Sequence, residues 1–482
     1  MAHLQFEAVN LISDPVHGYI ELTKRLTPEL SARAGLPPED AAEEDLLDSP
    51  WMQRLRRISQ LQAARWVFPT AEHSRFTHGL GVMHEAGLWG RSLYPTLRDI
   101  LVEETLSEGE ASEDPIPSEA LVVETLRVAG LLHDVGHGPF AHFFDDHVLC
   151  QWPAPAHPSR DPSKRLTHED LGQAIVEREL APIIASLRRA PALDAERAAF
   201  EPGESVDPRW VSFLISKPPL ADATMPFWVR RLQPLFSGVF TVDNLDYVRR
   251  DAYMTGVATG PIDADRLRHY AFMSERGLAL YEPGLGALEM FLTARLFMYN
   301  TVYFHRTVRA IDMDLSDAFG PAFLAVFGDR NPLDALPDYL ALDEYAILHQ
   351  AARWTRGEKL ADTPPPGSGC VTREVADLWR GILLRQPSWH AVREVRRDSR
   401  SGLPREGVLA ELGLDGGEDR AHIRIDLSET DARPQNPLHV EGRLIVARRD
   451  GTLDIAPLQD LLDRLPAVVT VGRVYERVGR PG

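Results

Sequence analysis

Apolar positions recur at helical spacing through most of the first two thirds of this chain and give way to alternation near its end. Leu121, Val122, Leu126, Ala129, Leu131 and Leu132 mark a buried helix. A second helix is predicted after Asp48-Ser49-Pro50, with Asp48 or Ser49 as cap and Trp51, Leu55, Ile58 and Leu61 facing inward. Leu80, Met83, His84, Gly87 and Leu88 continue a third, and Thr167 caps a fourth. Residues 206 to 238 read as helical with proline breaks, Val242, Leu245 and Val248 mark a partly buried helix, and 285 to 315 forms one long helical stretch.

Between these lie an extended or turn-rich opening at 11 to 27, an exposed acidic loop at 103 to 119 and an irregular loop at 151 to 165. After about residue 325 the character changes. Residues 355 to 370 read as a Pro/Gly-rich linker, and 408 to 427 and 442 to 456 alternate as strands do. A short helix at 458 to 465 and a strand near 468 to 478 close a small α+β lobe. The predicted fold class is mainly α, with a helical core over 1–325 and a C-terminal helical and α+β lobe over 326–482.

Composition narrows the chemistry. At 482 residues the chain has room for two to four domains. A net charge of -19 argues against a broad grip on nucleic-acid phosphates. Cys150 and Cys370 are the two cysteines, too few for a disulfide framework or a cysteine-rich zinc site. No secretory signal pattern opens the chain and no window approaches a membrane span, so the expected location is cytoplasmic.

The densest chemistry is His133-Asp134-Val135-Gly136-His137-Gly138-Pro139-Phe140-Ala141-His142, directly after the buried helix. A His and an Asp at a buried helix end must be paired, hydrogen-bonded or cation-bound. His133 and His137 share a face if the helix continues through Gly136, and the glycines and Pro139 let His142 turn back toward the same cavity. A second cluster holds Arg75 and His78, with the guanidinium placed to meet an anionic group if His78 is a ligand. His168 and Glu169 open a helix as candidates for proton handling, and Asp243, Asp246, Tyr247 and Asp251 recur at helical spacing.

Two imidazoles and two carboxylates suit Mn, Fe, Co, Ni, Zn or Mg better than soft copper. Such a site, with an acid and basic side chains beside it, fits hydrolysis of phosphate esters. A phosphate-cradling P-loop and a serine or cysteine nucleophile elbow are both missing from the sequence.

These residues carry a family resemblance. His78, His133-Asp134 and Asp243 match the H…HD…D pattern of the HD-domain metal-dependent phosphohydrolases. Asp14-Pro15-Val16-His17-Gly18-Tyr19-Ile20, Gln53-Arg54-Leu55-Arg56, Phe68-Pro69, Ser74 to Val82, His133 to His142 and Asp243 to Asp251 together resemble the deoxynucleoside triphosphate triphosphohydrolases over roughly residues 11 to 320. Arg448 to Leu453 and Val474-Tyr475 echo the same family's terminal lobe more weakly. The resemblance implies an HD-domain helical core in which His78, His133, Asp134 and Asp243 hold one divalent metal. It implies His142 as general acid, His137 and His168 along the phosphate site, and Glu169 orienting a histidine. Arg75 would meet the α-phosphate and Arg295 the outer phosphates, and Gln60 and Asp251 the sugar 3′-hydroxyl. Tyr247 would pack on the sugar, Leu61 under the base, and Tyr303 would line the same pocket.

The implied products are a deoxynucleoside and inorganic triphosphate, made by a homo-oligomer (dimer or tetramer) with a nucleotide activator near Asp48, Gln53 and Arg56. Two departures stand against this pattern. Asn244 replaces the family's phosphate-binding lysine, and Tyr299-Asn300-Thr301 replaces a basic run. A nucleoside monophosphate, a cyclic nucleotide or another phosphoester is therefore the alternative substrate, and a non-catalytic nucleotide sensor the alternative role.

Overall fold

The computed structural model describes residues 7–34, 41–108, 116–156, 163–191, 198–216, 224–399, 405–413, 422–431, 444–466 and 468–478. The chain opens with a hairpin of β1 (Val9–Asp14) and β2 (Gly18–Thr23). Asp14 closes its turn by accepting from the amides of Val16 at 2.8 Å and His17 at 2.9 Å. After short helices at Pro28–Ala34 and Glu43–Leu47 stands α1 (Pro50–Arg54), which runs into a 3₁₀ turn at Leu55–Arg57. Of the two expected caps, Ser49 is the one used: its side chain accepts from the Met52 amide.

The centre of the molecule is a pair of long helices, α2 (Arg75–Glu108) and α3 (Glu119–Leu132). They pack closely because small residues face each other. A Cβ on Gly130 would stand 2.8 Å from the Val82 carbonyl, inside contact distance. The expected acidic loop at 103 to 119 is corrected here, since α2 continues to Glu108 and α3 begins at Glu119. Buried Leu97 and Leu101 extend the apolar stripe of α2 beneath the acidic residues that suggested a loop. Residues 109–115 lie outside the described part.

Helix α3 ends at Leu132, so the condition for His133 and His137 to share a helical face, continuation through Gly136, is not met. The chain has to turn there because Gly136 presses on the next layer, where a Cβ would sit 2.0 Å from the His168 carbonyl. Phe140 and Ala141 then take left-handed φ values of 60° and 51°. That conformation costs a non-glycine residue about 1–2 kcal/mol. It releases the chain into α4 (His142–His147). Helix α5 (His168–Ile175) follows, with Thr167 as its cap, as expected. After it come α6 (Pro208–Ser216) and α7 (Val242–Thr255).

A hairpin of β3 (Ala271–Ser274) and β4 (Gly277–Tyr281), unforeseen from the sequence, precedes α8 (Leu285–Met298). The expected single stretch over 285 to 315 is broken by a wide turn at Tyr299–Tyr303 before α9 (Arg306–Phe327). Helices α10 (Glu344–Trp354) and α11 (Arg373–Leu383) complete the helical part.

The remainder is mixed. Strand β5 (Trp389–Ser399) was not anticipated. Residues Arg405–Glu411 form a short helix, α12, overlapping the strand expected from Val408, and Val408 within it and Leu412 just past its end are both buried, one turn apart. Then come β6 (Ile423–Asp431), β7 (Ile445–Ala447), β8 (Leu453–Asp454), α13 (Ala456–Leu462) and β9 (Val468–Arg477). Strands β5, β9 and β6 make an antiparallel sheet with β9 in the middle. Strand β7 pairs in parallel with β4, placing Ala279 opposite Ile445. Among the described residues no helix is long and apolar enough to cross a membrane. One hydrophobic core extends from Ile20 to Leu465 and draws on both parts of the chain.

Candidate metal centre and the cavity around it

Three elements deliver the four expected metal ligands to one point. His78 lies in the first turn of α2, His133 and Asp134 just past the end of α3, and Asp243 in the first turn of α7. His78 Nε2 stands 3.1 Å from Asp243 Oδ1 and 3.8 Å from Asp134 Oδ2. His133 Nε2 stands 3.4 Å from Asp134 Oδ1 and 3.7 Å from Asp243 Oδ1.

Both imidazoles are turned by their far nitrogens. His133 Nδ1 donates to the Gly130 carbonyl at 2.8 Å, and His78 Nδ1 donates to Asp246 Oδ2 at 2.8 Å. Both Nε2 atoms are thereby aimed at the point where the two carboxylates converge. His133 Nε2 is buried without a hydrogen-bond partner, a costly arrangement unless a cation meets it. Burial alone would depress His78, yet hydrogen bonds to Asp243 and Asp246 outweigh it and push the imidazole up to about 10. Burial likewise opposes ionisation of Asp134, but Arg75, with His133 and His137 beside it, holds that carboxyl well below its usual range. Two nitrogens and two carboxylate oxygens converging in this way fit a divalent cation.

Behind His78 stands a layer of supporting contacts, little of it marked in the sequence. Asp246 receives His17 Nε2 at 2.6 Å and Arg250 Nε at 2.8 Å, and Arg250 also reaches Asp14 at 2.7 Å. The Asp14-Pro15-Val16-His17 turn therefore buttresses the metal centre. Gly81 is what lets Asp246 come so near: a Cβ there would lie 1.9 Å from Asp246 Oδ1.

The opposite wall is a group of histidines. His137 stacks on His168 with ring centroids 3.6 Å apart, and His142 stands edge-on to His137 at 5.0 Å. Asp145 anchors the group, meeting His168 Nδ1 at 2.6 Å and His142 Nδ1 at 3.5 Å. Burial, with Arg75 and His168 nearby, holds His137 well below its ordinary value and so neutral. For His168 burial is outweighed by Asp145, which raises it. The His142 side chain is 64% exposed and is the least confined member of the group. Glu169 accepts from the Thr167 hydroxyl at 3.1 Å.

Between the two walls lies a cavity of about 160 Å³ lined by Gln60, Arg75, His78, His133, Asp134, His137, His142, His168, Glu169, Asp243 and Tyr247. Ile215 and Phe236 add an apolar side that the sequence did not suggest. The other expected residues stand one contact back. Arg295 Nε donates to the Tyr247 hydroxyl at 3.1 Å, and Tyr303 donates to Asp251 at 2.6 Å. The other oxygen of Asp251 meets His73 at 2.8 Å, and Leu61 is buried in the core. Asn244 serves the backbone instead, since its side chain accepts from the Thr241 amide at 2.8 Å and closes the capping box of α7. Asp145 is a functional candidate that the sequence pattern did not single out, while Asp246 and His17 stood in its motifs without a role. Asp145 carried a faint signal in its three-residue spacing from His142.

Comparison with known proteins places these residues among relatives. Residues 75–205 match the family model of the HD domain, and 262–333 match that of the HD associated region. The chain is 27% identical over 362 residues to the uncharacterized protein YwfO of Bacillus subtilis, covering 71% of this chain and 66% of that one. It is 27% identical over 335 residues to the human deoxynucleoside triphosphate triphosphohydrolase SAMHD1, covering 66% of this chain and 45% of that one. The chain thus spans between about half and two thirds of the length of these relatives. In fold it is similar to a hypothetical protein from Aquifex aeolicus, with a TM-score of 0.65 and 23% identity over 97% of this chain and 96% of that one. It is also similar to a phosphohydrolase from Bacteroides thetaiotaomicron, with a TM-score of 0.58 and 20% identity over 98% of this chain and all of the other.

Proposed function

Residues 75–205 match the HD domain, and from that premise we propose that the chain is a metal-dependent phosphohydrolase that cleaves deoxynucleoside triphosphates to deoxynucleoside and inorganic triphosphate. The observation that carries the reading is the convergence of His78, His133, Asp134 and Asp243 in a cavity whose far wall is His137, His142 and His168. When bound, a divalent cation supplies charge against the phosphoryl oxygens and lowers the pKa of water.

The protein's own groups do the rest. Arg75 uses one terminal nitrogen on Asp134, and its Nε is buried without a partner, leaving a donor for an α-phosphate oxygen. His168, whose hold on a second proton Asp145 strengthens, faces the phosphates from the opposite wall. His142 is exposed and steered through Nδ1 by Asp145, so its Nε2 is the group to hand a proton to the departing ester oxygen. Gln60 presents a buried, unpartnered Oε1 to a sugar hydroxyl. Tyr247 walls the sugar pocket, with Arg295, Tyr303 and, through Tyr303, Asp251 supporting it from behind. In this reading a regulatory nucleotide would bind a homo-oligomer near Gln53 and Arg56, which bond to each other at 2.8 Å.

Asn244 favours a second reading. Because it caps α7, no cation reaches outward from that position, and a nucleoside monophosphate would need less positive charge than a triphosphate. Metal content of the purified protein, followed by product analysis with dNTPs and dNMPs, separates the readings. Inorganic triphosphate with deoxynucleoside is the expected result. Orthophosphate from monophosphates alone would replace the first reading with the second, and bound metal without turnover of either would leave a sensor.

A further inference from the structure

The loop that carries His142 is held from outside the helical pair that carries the metal ligands. Three consecutive attachments run from the segment Tyr339 to Glu344. The Tyr339 hydroxyl donates to the Gly136 carbonyl at 2.8 Å. Arg54 ties the His137 carbonyl, at 2.7 Å, to the Leu342 carbonyl, at 2.8 Å, and its guanidinium lies over the Tyr339 ring at 4.4 Å. Glu344 Oε1 accepts from the Phe140 amide at 3.2 Å.

The last attachment has more than one end. The same Glu344 oxygen accepts from the Ser59 amide at 3.0 Å, and the other oxygen accepts from Arg65 at 3.1 Å. Ser59 is adjacent to Gln60, and its strand-like bridge to Ser74 sets the start of α2, where Arg75 stands. One fully buried carboxylate therefore binds the loop before His142 to the segment that presents Gln60. Its grip falls on Phe140, the first of two successive left-handed residues immediately before His142. Such a backbone persists only where its surroundings over-determine it.

We propose that the segment Tyr339 to Glu344 is a strap that fixes the histidine loop, with Glu344 as a positioning residue for His142. The proposal rests on the reading of His142 as the acid of the hydrolysis. Glu344 touches no substrate. It works by keeping the Phe140-Ala141 turn in the one conformation that sends His142 back over the cavity rather than into solvent. The segment lies outside both matched family regions, so the loop's geometry depends on a part of the chain that does not itself line the cavity.

The test measures amide hydrogen exchange and steady-state kinetics on the full chain. In Glu344→Ala, exchange in residues 136–144 is expected to rise at least several-fold more than in α2 and α3. Turnover should fall about 10- to 100-fold, the scale of a small misplacement of a catalytic group, with KM and metal content close to the parent's. Glu344→Gln should rescue most of this, because its amide oxygen can still accept from both Ser59 and Phe140. If Glu344→Ala fails to fold, Tyr339→Phe, which removes one hydroxyl, should show the same selective loosening on a smaller scale. Loop exchange that stays at parental levels relative to the helices overturns the proposal, and so does a Glu344→Gln variant as impaired as Glu344→Ala. Should the parent protein turn over no nucleotide, the hydrolase reading fails, while the exchange data alone still decide whether the strap holds the loop.

Discussion

The two walls of the cavity are built on opposite plans. Each imidazole of the metal wall is locked from behind, His133 by the Gly130 carbonyl and His78 by Asp246, which is itself gripped by His17 and Arg250. The histidine wall has His137 and His168 stacked and buried, but its outermost member, His142, is exposed, weakly anchored and preceded by two left-handed residues. A cation needs ligands that already stand in place, since reorganising charged groups on binding would cost affinity. A proton donor has to follow an oxygen that moves as its bond breaks, so freedom at the tip is tolerable provided the base of the loop is fixed. On the proposed reading, the difference teaches that rigidity follows the chemical role of each wall.

The comparison can be broken most severely on the metal wall. Asp243→Ala removes a ligand shared by both histidines, and metal content and activity should be lost together, as read by elemental analysis beside a turnover assay. On the other wall, His142→Ala should keep the full metal content while turnover falls by about 100-fold or more. Unchanged turnover in that variant would remove His142 from its role.

A milder change sharpens the contrast. Asp246→Ala frees His78 Nδ1 without touching a ligand, and metal affinity should drop about 10- to 100-fold in a competition titration with a chelating dye. Gly81→Ala should act in the same direction, since its Cβ and the Asp246 carboxylate cannot occupy the same space. Parental affinity in both variants would show that the layer behind His78 is dispensable.

The smallest effect expected is on pH. Burial, opposed by Arg65, raises Glu344 to about 7 from an unfolded value of 4.5. A carboxyl raised in this way contributes stability that is fully present below about 4.5 and is lost as pH rises through about 7. The native protein should therefore lose up to about 3 kcal/mol from this group between those limits, an upper bound taken from the shift. Melting temperatures of the parent and Glu344→Gln between pH 5 and 8 check it: the parent's should fall more steeply.

Much of the metal wall was legible in the sequence because its signals are local. His133 and Asp134 adjoin at the end of an apolar run, and Asp243 sits at a helix start with a capping threonine. The supports were illegible because they are assembled by tertiary contact. Nothing in the spacing of His17 and Asp246, or of Glu344 and Phe140, marks them as partners. The same reason explains the missed strands: Gly277–Tyr281 is a short apolar run whose alternation is hidden because nearly all of it is buried. Val408 misled in the other direction, since its four-residue spacing from Leu412 serves a helix although the surrounding sequence alternates.

The parallel pairing of β4 with β7 has a consequence for how the molecule is made. Ala279 must wait for Ile445, so the open edge of the 271–281 hairpin lacks its β7 neighbour until more than 160 further residues have left the ribosome. Pairings so distant along the chain close slowly and leave strand edges open to wrong partners meanwhile. Closure of this small sheet is thus a late step, followed by the arrival of β9 between β5 and β6, and a chain halted before residue 445 would carry an unsealed seam on its helical part.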